Sequence, residues 1–215
     1  MTTIAWNGKR MAGDTWLSSD FLGSNRYSLG DYVPTKIFHP TTAAKFESVD
    51  VVAVGCSGLW VLGRSAIKRL LRSDWKEKDL QMHLAAVSKR IERHQSIRLK
   101  RPLGIGEKDA ISTSLLILTS NGCFKVTAGL THFQMADVTR KCVAIGSGAK
   151  AAERAMKLRC GVVTSVLFAY HYAGDSWGAI TLVAQTGNKK PRSANKFEIV
   201  CGTAVAAIMK TLRVF

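Results

Sequence analysis

Apolar positions along this chain follow two rhythms, strand-like in some stretches and helical in others. Residues 2–6 and 9–12 flank Asn7-Gly8, a two-residue hairpin signal in which both central positions take φ > 0. Residues 16–34 are rich in Ser, Gly, Asn and Asp and read as an irregular loop. Residues 35–38 form a short strand that Pro40 ends. Residues 48–55 carry Val49, Val51, Val52, Ala53 and Val54, the continuous run of a strand buried on both faces. Leu59, Leu62, Ala66, Leu70 and Leu71 then recur at helical spacing, with Ser57-Gly58 at the entry. A second helix covers about residues 78–100, with Leu80, Leu84, Val87 and Ile91 as its apolar stripe and Leu99 as a candidate extension of it. Turn-forming residues at 102–107 close it.

Strands are expected again at 112–119 and 124–128, around Ser120-Asn121-Gly122, and at 141–145. Two helices follow, at 149–158 and 162–172. Residues 178–184 and 197–200 read as strands, 187–195 as a polar loop, and 204–212 as a terminal helix. The order is strands, two helices, strands, two helices, strands. It predicts an α+β chain folded as a four-layer αββα sandwich: two stacked, mainly antiparallel sheets with helix pairs outside. No internal repeat or low-complexity linker divides the sequence, so residues 1–215 form one domain.

Composition narrows the picture. Of 215 residues, 47% are hydrophobic, which suits a folded core and not a disordered chain. Charge or glycine interrupts the apolar runs well short of a bilayer span, so no membrane span is expected. The first residues lack the basic and apolar regions of a secretory signal. Cys56, Cys123, Cys142, Cys160 and Cys201 are scattered without a CxxC pair and read as reduced, buried thiols of a cytoplasmic protein. The five histidines include no HExxH, so neither a metal nor a cofactor is expected.

Charge is the unusual quantity: 31 basic residues against 15 acidic, a net of +16. Between Arg64 and Arg101 stand twelve Lys/Arg and four Asp/Glu. A second basic group runs through Arg140, Lys141, Lys150, Arg154, Lys157 and Arg159, and a third is Lys189, Lys190, Arg192 and Lys196. Such a field attracts nucleic acid, acidic protein surfaces or anionic membrane. A solvated helical face is the plainer account. Zinc-finger, RNP-like and helix-turn-helix signatures are missing, and only Trp60 and Trp75 interrupt the basic helices, so any nucleic-acid contact would be to phosphates.

Candidate chemistry sits at the start. Removing Met1 would leave Thr2 with a hydroxyl nucleophile and a free α-amine on one residue, and that amine can serve as the base. Four pieces of the chain, in order, extend this reading: Thr2-Thr3-Ile4-Ala5 with Ala12-Gly13-Asp14; Thr35-Lys36-Ile37; Val54-Gly55-Cys56-Ser57-Gly58 before a helix; and Ala144-Ile145-Gly146-Ser147-Gly148 before another. With these the chain resembles the proteasome β-subunit and the bacterial HslV peptidase, N-terminal nucleophile (Ntn) hydrolases, and above all short phage-encoded HslV-like proteins.

The resemblance implies a threonine-type peptidase, an oligomeric ring of identical subunits, a peptide or protein substrate, and a home in host cytoplasm or virion. It implies that Thr2 attacks the peptide carbonyl and passes through an acyl-enzyme. Lys36 would lower the pKa of that hydroxyl, and Asp14 would hold Lys36 in place and keep it charged. The Gly55 N–H would donate to the oxyanion, and Ser147 would hydrogen-bond near the Thr2 amine. The family carries an aspartate three residues before a serine near the strand after the fourth helix. Here Ser176-Trp177-Gly178-Ala179 matches the serine end, Ala173 stands at the aspartate position, and Asp175 is the neighbouring substitute.

Each residue also has an ordinary account. Thr2 is a strand residue, Asp14 ends a strand, Lys36 is a surface lysine on an edge strand, Gly55 is a turn residue, and Ser147 caps a helix. The alternative function is a catalytically inactive, proteasome-like structural or assembly subunit, such as a virion component. Its basic face between Arg64 and Arg101 would contact nucleic acid or acidic partners.

Overall fold

The computed structural model describes residues 3–14, 36–173, 180–185 and 192–211. The hairpin is present: β1 (Thr3–Trp6) pairs with β2 (Arg10–Asp14), Ile4 facing Gly13 and Trp6 facing Met11. Its turn is centred one residue later than expected, because the Asn7 N–H donates to the Arg10 carbonyl and only Gly8 of the turn has positive φ. Glycine at the first central position is the type II′ arrangement. The Asn7 side chain accepts from the N–H groups of Lys9 and Arg10, so asparagine acts here through its amide and not through left-handed backbone.

β3 (Ile37–Phe38) and β4 (Lys45–Phe46) both pair with the long β5 (Val49–Gly58). Helices α1 (Trp60–Leu70) and α2 (Glu77–Leu99) follow, close to their expected bounds. The segment expected only as a turn contains a short helix, α3 (Ile105–Asp109). Next come β6 (Ser112–Thr119), β7 (Cys123–Gly129), β8 (Phe133–Asp137) and β9 (Val143–Gly146). Two helices, α4 (Ala149–Lys157) and α5 (Val162–Ala173), lead to β10 (Ile180–Ala184) and β11 (Arg192–Ser193). The last described element is α6 (Lys196–Thr211).

Two expectations fail near the end. Residues 197–200 are helical, not a strand, and α6 starts eight residues before the predicted terminal helix. The cause is a reciprocal cap: the Glu198 N–H donates to Asn195 Oδ1, and the Asn195 N–H donates to the Glu198 carboxylate. Arg192 and Ser193, expected in a loop, form a short edge strand on β10.

Strand order is β11-β10-β2-β1-β9 in one sheet and β3-β5-β6-β7-β8 in the other, with β4 beside β5. All strand pairings are antiparallel. The alternation of side chains along each strand builds three apolar clusters. Ile4, Trp6, Met11, Ile37, Ala53, Leu116, Leu118 and Ile145 join the two sheets. Leu62, Ala66, Leu70, Leu80 and Leu84 pack α1 and α2 on the second sheet. Ala152, Ala155, Val166, Phe168 and Ala169 pack α4 and α5 on the first, and Ala206 and Met209 add α6 to that side. The described residues are thus α+β with two antiparallel sheets and six helices, an order compatible with a sandwich, although α6, packed on α5, adds a third helix on the first sheet's side. No described helix is long and apolar enough to cross a membrane.

Candidate active site

Asp14 is the last residue of β2 and stands beside Thr3, the first described residue of β1, one step beyond the Ile4–Gly13 pair. Lys36 directly precedes β3, so it arrives from the other sheet. The two side chains meet: Lys36 Nζ donates to Asp14 Oδ1 at 2.6 Å. Asp14 Oδ2 accepts the Thr3 N–H at 3.3 Å. Lys36 is 1% exposed and Asp14 2%. Lys36 is therefore not the surface lysine of the ordinary account. One face of Asp14 fixes the lysine while the other reads the start of β1.

Burial dominates the electrostatics of this pair. It pushes the Asp14 carboxyl up to about 6, against the attraction and hydrogen bond of Lys36 and the Thr3 N–H. Burial also lowers the Lys36 pKa, and Asp14 offsets only part of that fall. A lysine so placed is a compact cation with an easily removed proton at the β1 end of the sheet.

Gly55 lies in the middle of β5, opposite Ile37 and Leu116, and is not a turn residue. The next residue, Cys56, donates its N–H to the Lys36 carbonyl, which places Gly55 within two residues of the ion pair. A Cβ on Gly55 would come 3.0 Å from Ile4 Cγ2 and 3.3 Å from Met11 Sδ, so the sheets approach closely only because this position is bare.

Sequence reasoning missed three neighbours. Thr3 is buried on β1 and ties the strand to Asp14 through its backbone. Cys56 is buried beside Lys36, and burial pushes its thiol up to about 11, so it is not a thiolate at neutral pH. Gly148 is the N-cap of α4. Ser147, expected to cap that helix, is exposed in the preceding turn, after Gly146, which pairs with Thr3. The cap must be bare: a Cβ on Gly148 would overlap Thr3 Oγ1 and stand 2.8 Å from Ala169 Cβ. The doubled glycine of Gly146-Ser147-Gly148 was the readable signal for that close approach.

Gly148→Ala should therefore displace Thr3 or α4 and cost about 1–3 kcal/mol of stability. Chemical denaturation of the variant beside Ser147→Ala, which should stay within about 0.5 kcal/mol, measures this.

Thr2, Asp175 and Ser176 lie outside the described residues, and Ala173 ends α5. Of the expected set the structure brings Asp14, Lys36 and Gly55 together and sets Ser147 on the turn next to β1. Among the described residues no three His, Cys, Asp or Glu gather where a metal ion could bind. No protein-family model matches the chain, and no curated protein matches its sequence.

Proposed function

We propose that this chain is a threonine-type peptidase of the proteasome and HslV kind, with Thr2 as nucleophile once Met1 is removed. The observation that supports it most is the buried Asp14–Lys36 pair, formed across the two sheets and hydrogen-bonded to the strand that continues from Thr2. Burying a lysine and a carboxylate is costly, and apolar residues of similar volume would stabilise a fold at least as well. Such a pair is better explained by chemistry than by packing.

In this reading Lys36 stabilises the developing alkoxide of Thr2, and the free α-amine takes the hydroxyl proton. The carbonyl carbon of the peptide gains a bond to the threonine oxygen, the amine product leaves with the proton, and water then releases the acyl group. Ser147 works near the amine with Asp175 and Ser176 in support, while the Gly55 N–H, which the resemblance gives to the oxyanion, faces Leu116 of β6. The working form is a ring of identical subunits acting on peptides or unfolded protein, in host cytoplasm or virion.

A second reading keeps the Ntn-hydrolase-like fold without its chemistry, as a structural or assembly subunit. Ala173 at the family's aspartate position favours it, as does the basic outer surface. The intact mass of the purified chain, before and after an epoxyketone peptide inhibitor, separates the two. Loss of one methionine and gain of a single adduct, abolished in Thr2→Ala, is the expected result. A retained Met1, or a processed chain that takes no adduct, overturns the peptidase reading.

A further inference from the structure

The outer faces of α1 and α2 carry a cationic surface that the peptidase chemistry does not use. Their inner faces are filled by Leu62, Ala66, Ile67 and Leu70 on α1 and by Leu80, Leu84 and Ser88 on α2. Arg64, Lys68, Arg69 and Arg72 are exposed on the first helix and its end, and Lys78, Lys89, Arg90 and Arg93 on the second. Lys78, Lys89 and Arg93, spaced by 11 and 4 residues, share one stripe of α2. The helices are joined where Ser65 Oγ and His83 Nε2 meet at 2.9 Å. Arg69 and Arg90, one from each helix, both press on that imidazole and, with its burial, lower its pKa. Arg69 and Arg90 thus meet beside that imidazole, at the seam between the two helices.

The four acidic residues of this stretch are occupied or set aside. Asp74 accepts the Lys45 N–H, Asp79 accepts the Lys76 N–H, and Glu92 pairs with Lys108 at 3.1 Å. Glu77 sits in the first turn of α2, away from the Lys89–Arg93 end.

We infer that the α1–α2 face binds the phosphate backbone of a nucleic-acid duplex. Seven of the twelve cations between Arg64 and Arg101 are arginine, whose planar fork matches phosphate oxygens. α2 has 23 residues, hence about 35 Å of length, close to the roughly 34 Å of one duplex turn. A helix that inserts into a membrane surface needs a continuous apolar stripe. The exposed apolar residues of α2, Met82, Ile97 and Leu99, do not form one, since Ile97 and Leu99 point to different sides of the helix. A single strand would need open aromatic faces to stack on. Trp60 instead packs against Phe38 at 5.8 Å, and Trp75 lies between the Arg69 guanidinium and the edge of His83. Arginine-rich charge without an inserting stripe or open aromatic faces favours duplex phosphates.

The test is fluorescence anisotropy of the full chain with a labelled duplex of arbitrary sequence, across a salt series starting at about 50 mM. The wild type should bind, with affinity falling steeply as salt rises. Lys89→Glu/Arg90→Glu/Arg93→Glu should weaken binding at least about 10-fold at fixed salt. Lys89→Gln/Arg90→Gln/Arg93→Gln should lower the log–log salt slope by about 2–3, and it serves alone if the charge reversal does not fold. Lys141→Glu/Lys150→Glu/Lys157→Glu makes the same charge change elsewhere and should have little effect. Equal losses in both sets would mean a diffuse +16 field and would overturn the proposal, as would no binding at low salt. Tighter, α2-dependent binding to phosphatidylserine vesicles or polyglutamate than to duplex would overturn it in favour of a membrane or an acidic protein. The inference stands apart from the peptidase reading, since Thr2→Ala should bind duplex as the wild type does.

Discussion

Replacing Asp14 with alanine is expected to cost about 3–5 kcal/mol of folding stability, because Lys36 would be left as a buried cation without its counter-charge. The Thr3 N–H would lose its acceptor in the same step. The double variant Asp14→Ala/Lys36→Met should recover most of that loss, since it removes both charges and keeps an apolar chain in the lysine's place. Urea unfolding of the two single variants and the double closes the cycle. A loss near zero in Asp14→Ala would mean that the pair is solvated, against its burial. The pair also sets a pH dependence. Asp14 keeps its proton up to about 6 in the folded chain, whereas an unfolded aspartate releases it near the ordinary 3.8. Between those values the folded state binds more protons, so Asp14 makes stability fall as pH rises through that window.

Peptide turnover is expected to fall by about 10³-fold or more in Lys36→Met, and to background in Thr2→Ala. Methionine fills the same space, so the lysine charge is the main thing lost. The two variants answer different questions, because Lys36→Met leaves Thr2, the proposed nucleophile, in place and should still shed Met1. For the wild type, the pH profile of kcat/KM should show an acid limb near 6, where Asp14 takes up a proton and stops anchoring the lysine. Normal turnover in Lys36→Met would remove the lysine from the mechanism, and a flat profile from pH 5 to 8 would remove Asp14.

Much of the fold was legible because its elements bury broad, regular faces. The run Val49–Val54, the leucine spacing of α1 and α2, and the strand at 112–119 each reflect burial against the core. Legibility failed where burial is slight or local bonds decide. Among the described residues β8 pairs only with β7, and none of its side chains is fully buried, so its alternation of Phe133 and Met135 is faint. Apolar residues at 197–200 suggested a strand, but Asn195 and Glu198 three residues apart already spelled a helix start. In the site, Asp14, Lys36 and their meeting came from the resemblance alone, because no local pattern of polar and apolar residues marks a contact between two sheets. The size limits at Gly55 and Gly148 belong to the same class, set by partners far along the chain.

Strand connectivity has a consequence for how the molecule is made. The second sheet is built largely from neighbours in sequence, β5 to β8 within residues 49–137. The first is closed by pairings across the whole chain: Thr3 with Gly146, and Asp14 with Ile180. A ribosome adding roughly 5–20 residues per second leaves the β1–β2 hairpin waiting roughly 10–30 s for its outer strands, since 166 residues separate Asp14 from Ile180. Until then its apolar faces have only the half-finished second sheet to lean on. The β2 end that holds Asp14 is thus completed late in synthesis, because its outer neighbour β10 emerges only after most of the chain has been made.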